Sequence, residues 1–217
     1  MVLKLYAGPN AGRGSAIVAL LLAEKQIPFE HILVNLFEKE HKNPRISRDA
    51  SVWPDSRHCS SDDDGFVLYE SRAICRYLGE KYADQGTAFL PAGLKERALV
   101  EQAASVEFAN FHPAIVKVVR DVFGKQGSGQ PPDPAILAEF SAKLEVYEVI
   151  LGKHKFLAGD EFTLADLFHF SYAPMLEYAA VDIMTSSGPN VKRWWNDLIS
   201  RPAWVKLKAE GMKGTIS

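Results

Sequence analysis

At 217 residues the chain is long enough for one large domain or two small ones. Its 47% hydrophobic and 24% charged residues are ordinary for a globular protein, its net charge is −2, and no Lys/Arg block reaches five residues, so neither nucleic acid nor an anionic membrane is an expected partner. The longest uncharged apolar run, Ala16 to Ala23, is too short to cross a bilayer, and the six histidines show no metal-ligand spacing. Met1 leads straight into a strand-like segment without a basic stretch, so no signal peptide is expected. The only two cysteines, Cys59 and Cys75, lie in dissimilar contexts, which fits a reducing compartment and predicts a cytoplasmic protein without a disulfide framework.

In chain order, Val2-Leu3-Lys4-Leu5-Tyr6 is a short β-type run closed by Ala7-Gly8-Pro9. Ser15 to Lys25 is apolar and rich in helix formers, and Pro28 to Val34 reads as a second strand. Strand, helix, strand in so short a span is a βαβ unit, which implies parallel pairing and a right-handed crossover. Phe66 to Tyr69 is a further strand and Ser71 to Lys81 a further helix. Tyr82 to Gly93, with its Gly, Pro and small residues, reads as a linker.

From Leu94 the period is helical throughout. Lys95 to Arg120 carries Leu99, Ala103, Val106, Phe111 and Ile115 at helical spacing, and Pro113 predicts a kink. Gly124 to Pro134 is a Gly/Pro loop, and Ala135 to Gly152 is amphipathic, with Leu137, Phe140, Leu144, Tyr147 and Ile150 or Leu151 on one side. Thr163 and Asp166 stand at capping-box spacing, and the helix they start is apolar enough to be central and buried. Val191 to Ile199 is a last strong helix, broken by Arg201-Pro202 before a short terminal one. The fold class is therefore α/β plus all-α: a small α/β domain over residues 1–82, a linker at 83–93, and an all-helical domain over 94–217.

The most informative stretch is Phe66-Val67-Leu68-Tyr69-Glu70-Ser71-Arg72-Ala73-Ile74, where a strand turns at once into a helix. Such a turn aims the helix's free backbone N–H groups and positive dipole end at one spot, a ready anion site. Ser71 supplies a hydroxyl and Glu70 a carboxylate, so the pair suits a ligand end that carries both a carboxylate and an ammonium, as the α-amino-acid end of a peptide does. The plainer alternative is that Ser71 only caps its helix.

Taken with three other segments, this turn resembles the glutathione transferase superfamily, most nearly its phi-type and fungal phi-like members. The other three are Glu38-Lys39-Glu40-His41-Lys42-Asn43-Pro44, then Leu157-Ala158-Gly159 through Ala165-Asp166, and then Trp194-Trp195 followed by Arg201-Pro202-Ala203-Trp204. The resemblance covers nearly the whole chain. It implies a thioredoxin-like domain fused to a helical bundle, a homodimer, and a detoxifying transferase that joins the thiolate of glutathione, its co-substrate, to small apolar electrophiles, with no metal. Residue by residue, it implies that His41 and Lys42 hold the glycine carboxylate, that Glu70 and Ser71 hold the γ-glutamyl end, and that Arg72 and Arg76 make fold or dimer contacts. It draws the electrophile pocket from Phe108, Phe111, His112 and Ile115, whose plainer reading is helical core.

The chain departs from the family in two places. The family's first loop carries a serine whose hydroxyl donates to the glutathione sulfur and so favours the thiolate. Here the loop is Ala7-Gly8-Pro9-Asn10-Ala11-Gly12-Arg13-Gly14-Ser15. Counting from either side puts Ala11 or Gly12 at the catalytic position, and neither has a side-chain donor. Asn10, Arg13 and backbone N–H groups are the candidate substitutes, with Ser15 a turn later. The second departure is Arg45 to Ser61, where the family has a strand and a cis-proline loop that pairs with the cysteinyl amide of the ligand. Suitable codons for Arg45 to Cys59, read one base later, spell Glu-Tyr-Leu-Ala-Met-His-Pro-Phe-Gly-Gln-Ile-Pro-Ala-Ile. That is the family loop in order, and its contact falls at Asp55 and Ser56. A frame-shifted stretch explains this, and a divergent loop is the alternative. With Ile46, Val52 and Trp53 as its only large apolar residues, Arg45 to Ser61 is expected to be mobile and largely without regular structure, so that the sheet lacks a strand or carries a poor substitute. These departures favour a competing class, a catalytically weakened glutathione-binding, ligand-binding or regulatory protein of the same fold.

Overall fold

The computed structural model describes residues 2–8, 13–34, 60–63 and 65–212. Contacts divide the chain into two compact units, one of Met1–Thr87 with Pro202–Ser217, the other of Ala88–Arg201.

In the first unit, β1 (Leu3–Ala7) buries Leu3, Leu5 and Ala7 in strict alternation. α1 (Gly14–Glu24) is apolar all round and buried continuously from Ser15 to Leu22, as a helix without a polar face must be. β2 (Phe29–Leu33) runs parallel to β1, with Leu3 opposite Phe29 and Ala7 opposite Leu33, which is the expected βαβ unit. α2 (Ser71–Lys81) follows β4 (Phe66–Tyr69), buries Ile74, Cys75 and Leu78, and packs on α1.

A further strand, β3 (Ser60–Asp63), takes in the last two residues of the Arg45 to Ser61 segment. It lies inside the sheet, whose order among the described residues is β2-β1-β3-β4, and it is antiparallel to both neighbours: Leu5 faces Ser61, and Ser61 faces Leu68. Ser-Ser-Asp-Asp has poor strand propensity and no apolar period. What fixes the strand is backbone pairing on both edges, which no side-chain pattern reports. Residues 35–59 lie outside the described residues, so the expectation for Arg45 to Cys59 stands where the sequence left it.

Two devices close this unit. Lys25 is fully buried, and its ammonium donates to the carbonyls of Tyr82 at 2.8 Å and Gln85 at 3.0 Å, while the Gln85 amide donates back to the Lys25 carbonyl at 2.7 Å. At Gly86, φ is +59° and a Cβ would sit 2.5 Å from the Glu24 carbonyl oxygen, so only glycine fits. The end of the chain also differs from the boundary read in the sequence. α10 (Pro202–Glu210) packs on α1 with Trp204 and Leu207 buried, which joins it to the first unit rather than to the helical one.

The second unit is helical. The expected long helix is divided into α3 (Leu94–Val106), a wider π turn (Glu107–Phe111) and α4 (His112–Gly124). Pro113 is the cause: it has no N–H and its ring crowds the carbonyl four residues back, and the wide turn just before it relieves both. α5 (Pro134–Leu151) starts from Asp133, whose carboxylate accepts from the Ala135 N–H at 2.8 Å, and it buries Phe140, Leu144, Tyr147 and Leu151. α6 (Leu164–Leu167) runs into a 3-10 turn (Phe168–Ser171), and the two are buried at every position. Single-turn helices α7 (Met175–Tyr178) and α8 (Ile183–Ser186) lead to α9 (Pro189–Ile199).

The centre of this unit is the Asp166 carboxylate. It is fully buried and accepts from Thr163 N–H at 3.1 Å, Thr163 hydroxyl at 3.2 Å, Leu157 N–H at 3.1 Å and Trp194 indole N–H at 2.9 Å. It therefore ties α6, the Leu157 turn and α9 together. Burial raises its pKa above the ordinary carboxylate value, and the four donors pull in the opposite direction.

Candidate functional site

The strand-to-helix turn is as short as the sequence implies: β4 ends at Tyr69, α2 begins at Ser71, and Glu70 alone connects them. Glu70 holds φ +72° and ψ +106°, a region that L-residues rarely enter. Its side chain is exposed and makes no cap to the helix, whereas Ser71 is only 4% exposed. The Ser71 hydroxyl has no hydrogen-bond partner among the described residues. A buried hydroxyl left in that state costs roughly 1–3 kcal/mol, which makes it conspicuous.

The start of α1 meets the start of α2 at this point. Arg13, the residue before α1, is also left-handed at φ +58° and makes no side-chain cap. Gly14, the first residue of α1, lies so close to Ser71 that a Cβ built on it would stand 2.8 Å from the Ser71 hydroxyl oxygen and 3.1 Å from its Cβ. Two helix N-termini and their positive dipole ends thus converge on a buried hydroxyl, with Glu70 beside them. Helix N-termini of this kind favour an anion, and a carboxylate favours a cation.

The other expected site residues divide into two groups. Asn10, Ala11, Gly12, His41, Lys42, Asp55 and Ser56 lie outside the described residues. Of the four placed in the electrophile pocket, Phe111 and Ile115 are core, 1% and 0% exposed, with the Phe111 ring packed on Phe140, Tyr147 and His169. The resemblance made them candidates, and for these two the plainer reading from helical period, core, is the one the structure shows. Phe108 and His112 lie nearer the surface: Phe108 is 61% exposed and its ring stacks on His112 at 6.3 Å. His112 also meets the Tyr172 ring edge-on at 5.1 Å, and its Nδ1 is 3.9 Å from the fully buried Glu107 carboxylate. Arg72 and Arg76 lie one turn apart on α2, the Arg76 guanidinium donating to the Arg72 carbonyl at 3.3 Å, a contact within the fold.

Two features of the helical unit went unread in the sequence. His169 is fully buried, with Nδ1 2.9 Å from the Ala165 carbonyl and Nε2 3.1 Å from the Tyr147 hydroxyl. The carbonyl can only accept, which puts the proton on Nδ1 and makes Tyr147 the donor to Nε2. Burial, with the Glu107 and Asp166 charges, holds the Tyr147 phenol well above its usual pKa and so protonated. The unit also contains an apolar cavity of about 300 Å³ between α3, α5 and the Leu157 turn, lined by Leu99, Val106, Tyr147, Ile150 and Leu157. None of the four expected electrophile-pocket residues lines it. Among the described residues no group of side chains is arranged to hold a metal, and no helix is long and apolar enough to cross a membrane.

The family descriptions for the N-terminal and C-terminal domains of glutathione S-transferase match residues 15–81 and 111–202. Glutathione S-transferase F11 of Arabidopsis thaliana is 39% identical over 216 residues, covering 95% of this chain and 97% of the relative. The chain belongs to the glutathione S-transferase family. A fungal glutathione S-transferase from Hypomyces subiculosus is 36% identical over 217 residues, covering 97% of this chain and 99% of that one. Among solved structures, maize glutathione S-transferase I in complex with an atrazine glutathione conjugate superposes with a TM-score of 0.80 at 30% identity, over 96% of this chain and 97% of that one. The resemblance to phi-type and fungal transferases and the pairing of a thioredoxin-like unit with a helical one are therefore features of this glutathione transferase.

Proposed function

We propose that this chain conjugates the thiolate of glutathione to small apolar electrophiles, as a detoxifying transferase does. Its membership of the family and the maize neighbour's glutathione conjugate support the reaction class. The observation that carries the binding site is the buried Ser71 hydroxyl at the junction of two helix N-termini. Ser71 and the adjacent backbone N–H groups take the γ-glutamyl carboxylate, and Glu70 takes its ammonium. His41 and Lys42 take the glycine carboxylate. Asp55 and Ser56 stand where the family's contact to the cysteinyl amide belongs. In the reaction the thiol loses its proton to solvent, the sulfur forms a C–S bond to the electrophilic carbon, and in a substitution the leaving group departs with its electron pair. Phe108 and His112 offer the ring surface of the helical unit for that electrophile. The protein works in the cytoplasm as a homodimer.

A second reading has a specific observation behind it: neither Ala11 nor Gly12 has a side chain able to donate to the sulfur. Under that reading the chain binds glutathione but turns over slowly, unless Asn10 or Arg13 supplies the donor. Retention on immobilised glutathione together with turnover of a generic electrophile supports the transferase. Retention without turnover selects the binding protein, and loss of both overturns the site.

A further inference from the structure

We propose that Gly14 is a positioning residue for glutathione: its missing side chain is the space in which the Ser71 hydroxyl sits. This rests on the reading of Ser71 as a glutathione contact. Gly14 occupies the first position of α1, and its φ lies outside the left-handed region, so the helix itself has no need of glycine there. Ala is the better helix former at such a position. The reason for glycine lies across the junction. A Cβ would stand 2.8 Å from the Ser71 oxygen, closer than real Cβ atoms come to a neighbour, and 3.1 Å from the Ser71 Cβ, which is tight. The oxygen has to swing away, or the two helix starts have to part by a few tenths of an ångström. Either change moves a buried hydroxyl that holds no partner of its own among the described residues and that belongs to the convergence of two positive helix ends. A ligand carboxylate bridging those ends feels either displacement. Gly14 touches no reacting atom and acts through Ser71.

The consequence separates stability from binding. Gly14→Ala should leave the melting temperature unchanged or raise it, while weakening glutathione about tenfold, the equivalent of one hydrogen bond. The KM for glutathione should rise by the same factor, and kcat at saturating glutathione should change less than about threefold, because the loss lies in binding rather than in the chemical step. The test is a double-mutant cycle on the full-length chain, read by calorimetry with glutathione and by steady-state kinetics. Ser71→Gly removes both atoms that the new Cβ would meet. In that background, Gly14→Ala should therefore cost less than about twofold, which is strong non-additivity. This double variant also keeps the test open if Gly14→Ala alone folds poorly, since the crowding is gone. Equal losses in the two backgrounds overturn the proposal, as does wild-type affinity in a folded Gly14→Ala protein. If Ser71→Gly itself leaves glutathione affinity intact, the reading of Ser71 as a glutathione contact falls, and the role of Gly14 falls with it.

Discussion

The start of α6 in the helical unit and the starts of α1 and α2 in the first unit present the same orphaned backbone N–H groups. At α6 the protein closes the end itself. Asp166 reaches back to Thr163, and the same carboxylate gathers Leu157 and Trp194. At α1 and α2 the residues before the helices, Arg13 and Glu70, are left-handed and neither side chain caps. There the buried Ser71 hydroxyl sits at the first turn of α2, next to a glycine that makes room for it. One arrangement uses its anion to hold a fold. The other leaves both helix starts without a side-chain cap, and under the proposed function its donors meet an anion that arrives with a ligand. The two should respond to mutation in opposite currencies, stability against affinity.

The largest expected effect is therefore at Asp166. Asp166→Ala leaves four buried donors without their acceptor and should cost about 3–5 kcal/mol of unfolding free energy. Asp166→Asn keeps the shape but turns an amide NH2 toward donors, and should fall between wild type and Ala. Denaturant unfolding followed by tryptophan fluorescence is a direct readout, because Trp194 is one of the donors. A loss below about 1 kcal/mol for Asp166→Ala would mean that the carboxylate merely occupies the site.

The converse holds at Ser71. Ser71→Ala should weaken glutathione by about 1–3 kcal/mol, roughly 5- to 150-fold, with the melting temperature unchanged or raised, since a buried hydroxyl without a partner among the described residues is removed. Calorimetry beside a thermal scan separates the two quantities. A variant that loses stability and keeps affinity would make Ser71 a structural cap like Thr163 and erase the contrast between the units.

How much of this the sequence discloses depends on which level decides each feature. β1, α1, β2, β4 and α2 are legible because apolar period and turn residues lie in the segments themselves. The capping box is legible because Thr163 and Asp166 are three residues apart, and the Glu70–Ser71 turn because a strand and a helix abut. β3 is not legible: Ser60-Ser61-Asp62-Asp63 becomes a strand by pairing with β1 and β4. The break before α4 is legible from Pro113, whereas the kink read from the sequence takes the form of a π turn over Glu107–Phe111. The period of α10 identifies its buried face but not that α1 is what it faces. Gly14 looks like an ordinary loop glycine until Ser71, far along the chain, is seen against it.

A smaller effect should come from the sulfur side of the site. If Ala11 stands where the family has its donor, Ala11→Ser adds a hydroxyl that favours thiolate over thiol. Conjugation at neutral pH should then rise by up to about tenfold, about one hydrogen bond to a charged group, and less at alkaline pH, where the thiol ionises unaided. In the parent chain conjugation should climb as the solution is made alkaline, and Asn10→Ala should lower it further. Thiolate absorbance of the glutathione complex against pH measures this directly. A midpoint well below neutral that survives both Asn10→Ala and Arg13→Ala would assign the activation to backbone N–H groups at the start of α1.

The smallest effect concerns the buried cation of the first unit, the counterpart of Asp166. Lys25 donates to the Tyr82 and Gln85 carbonyls, but its ammonium is taken out of water, and that burial lowers its pKa from the ordinary 10.5 while the Asp84 charge raises it. The folded protein therefore holds this proton less tightly than the unfolded chain does. The cost of burying the charge is present in full at low pH, and it is relieved as pH rises through the depressed folded value toward 10.5. Lys25→Met removes both the donors and the buried charge, so at neutral pH the terms offset and the net change should stay within about 1 kcal/mol. The pH slope should differ all the same. The stability of wild type relative to Lys25→Met should grow between neutral pH and 10.5, and denaturant midpoints collected across that range should diverge in favour of wild type. Parallel curves would mean that the two carbonyls and the Asp84 charge fully offset the burial of the ammonium.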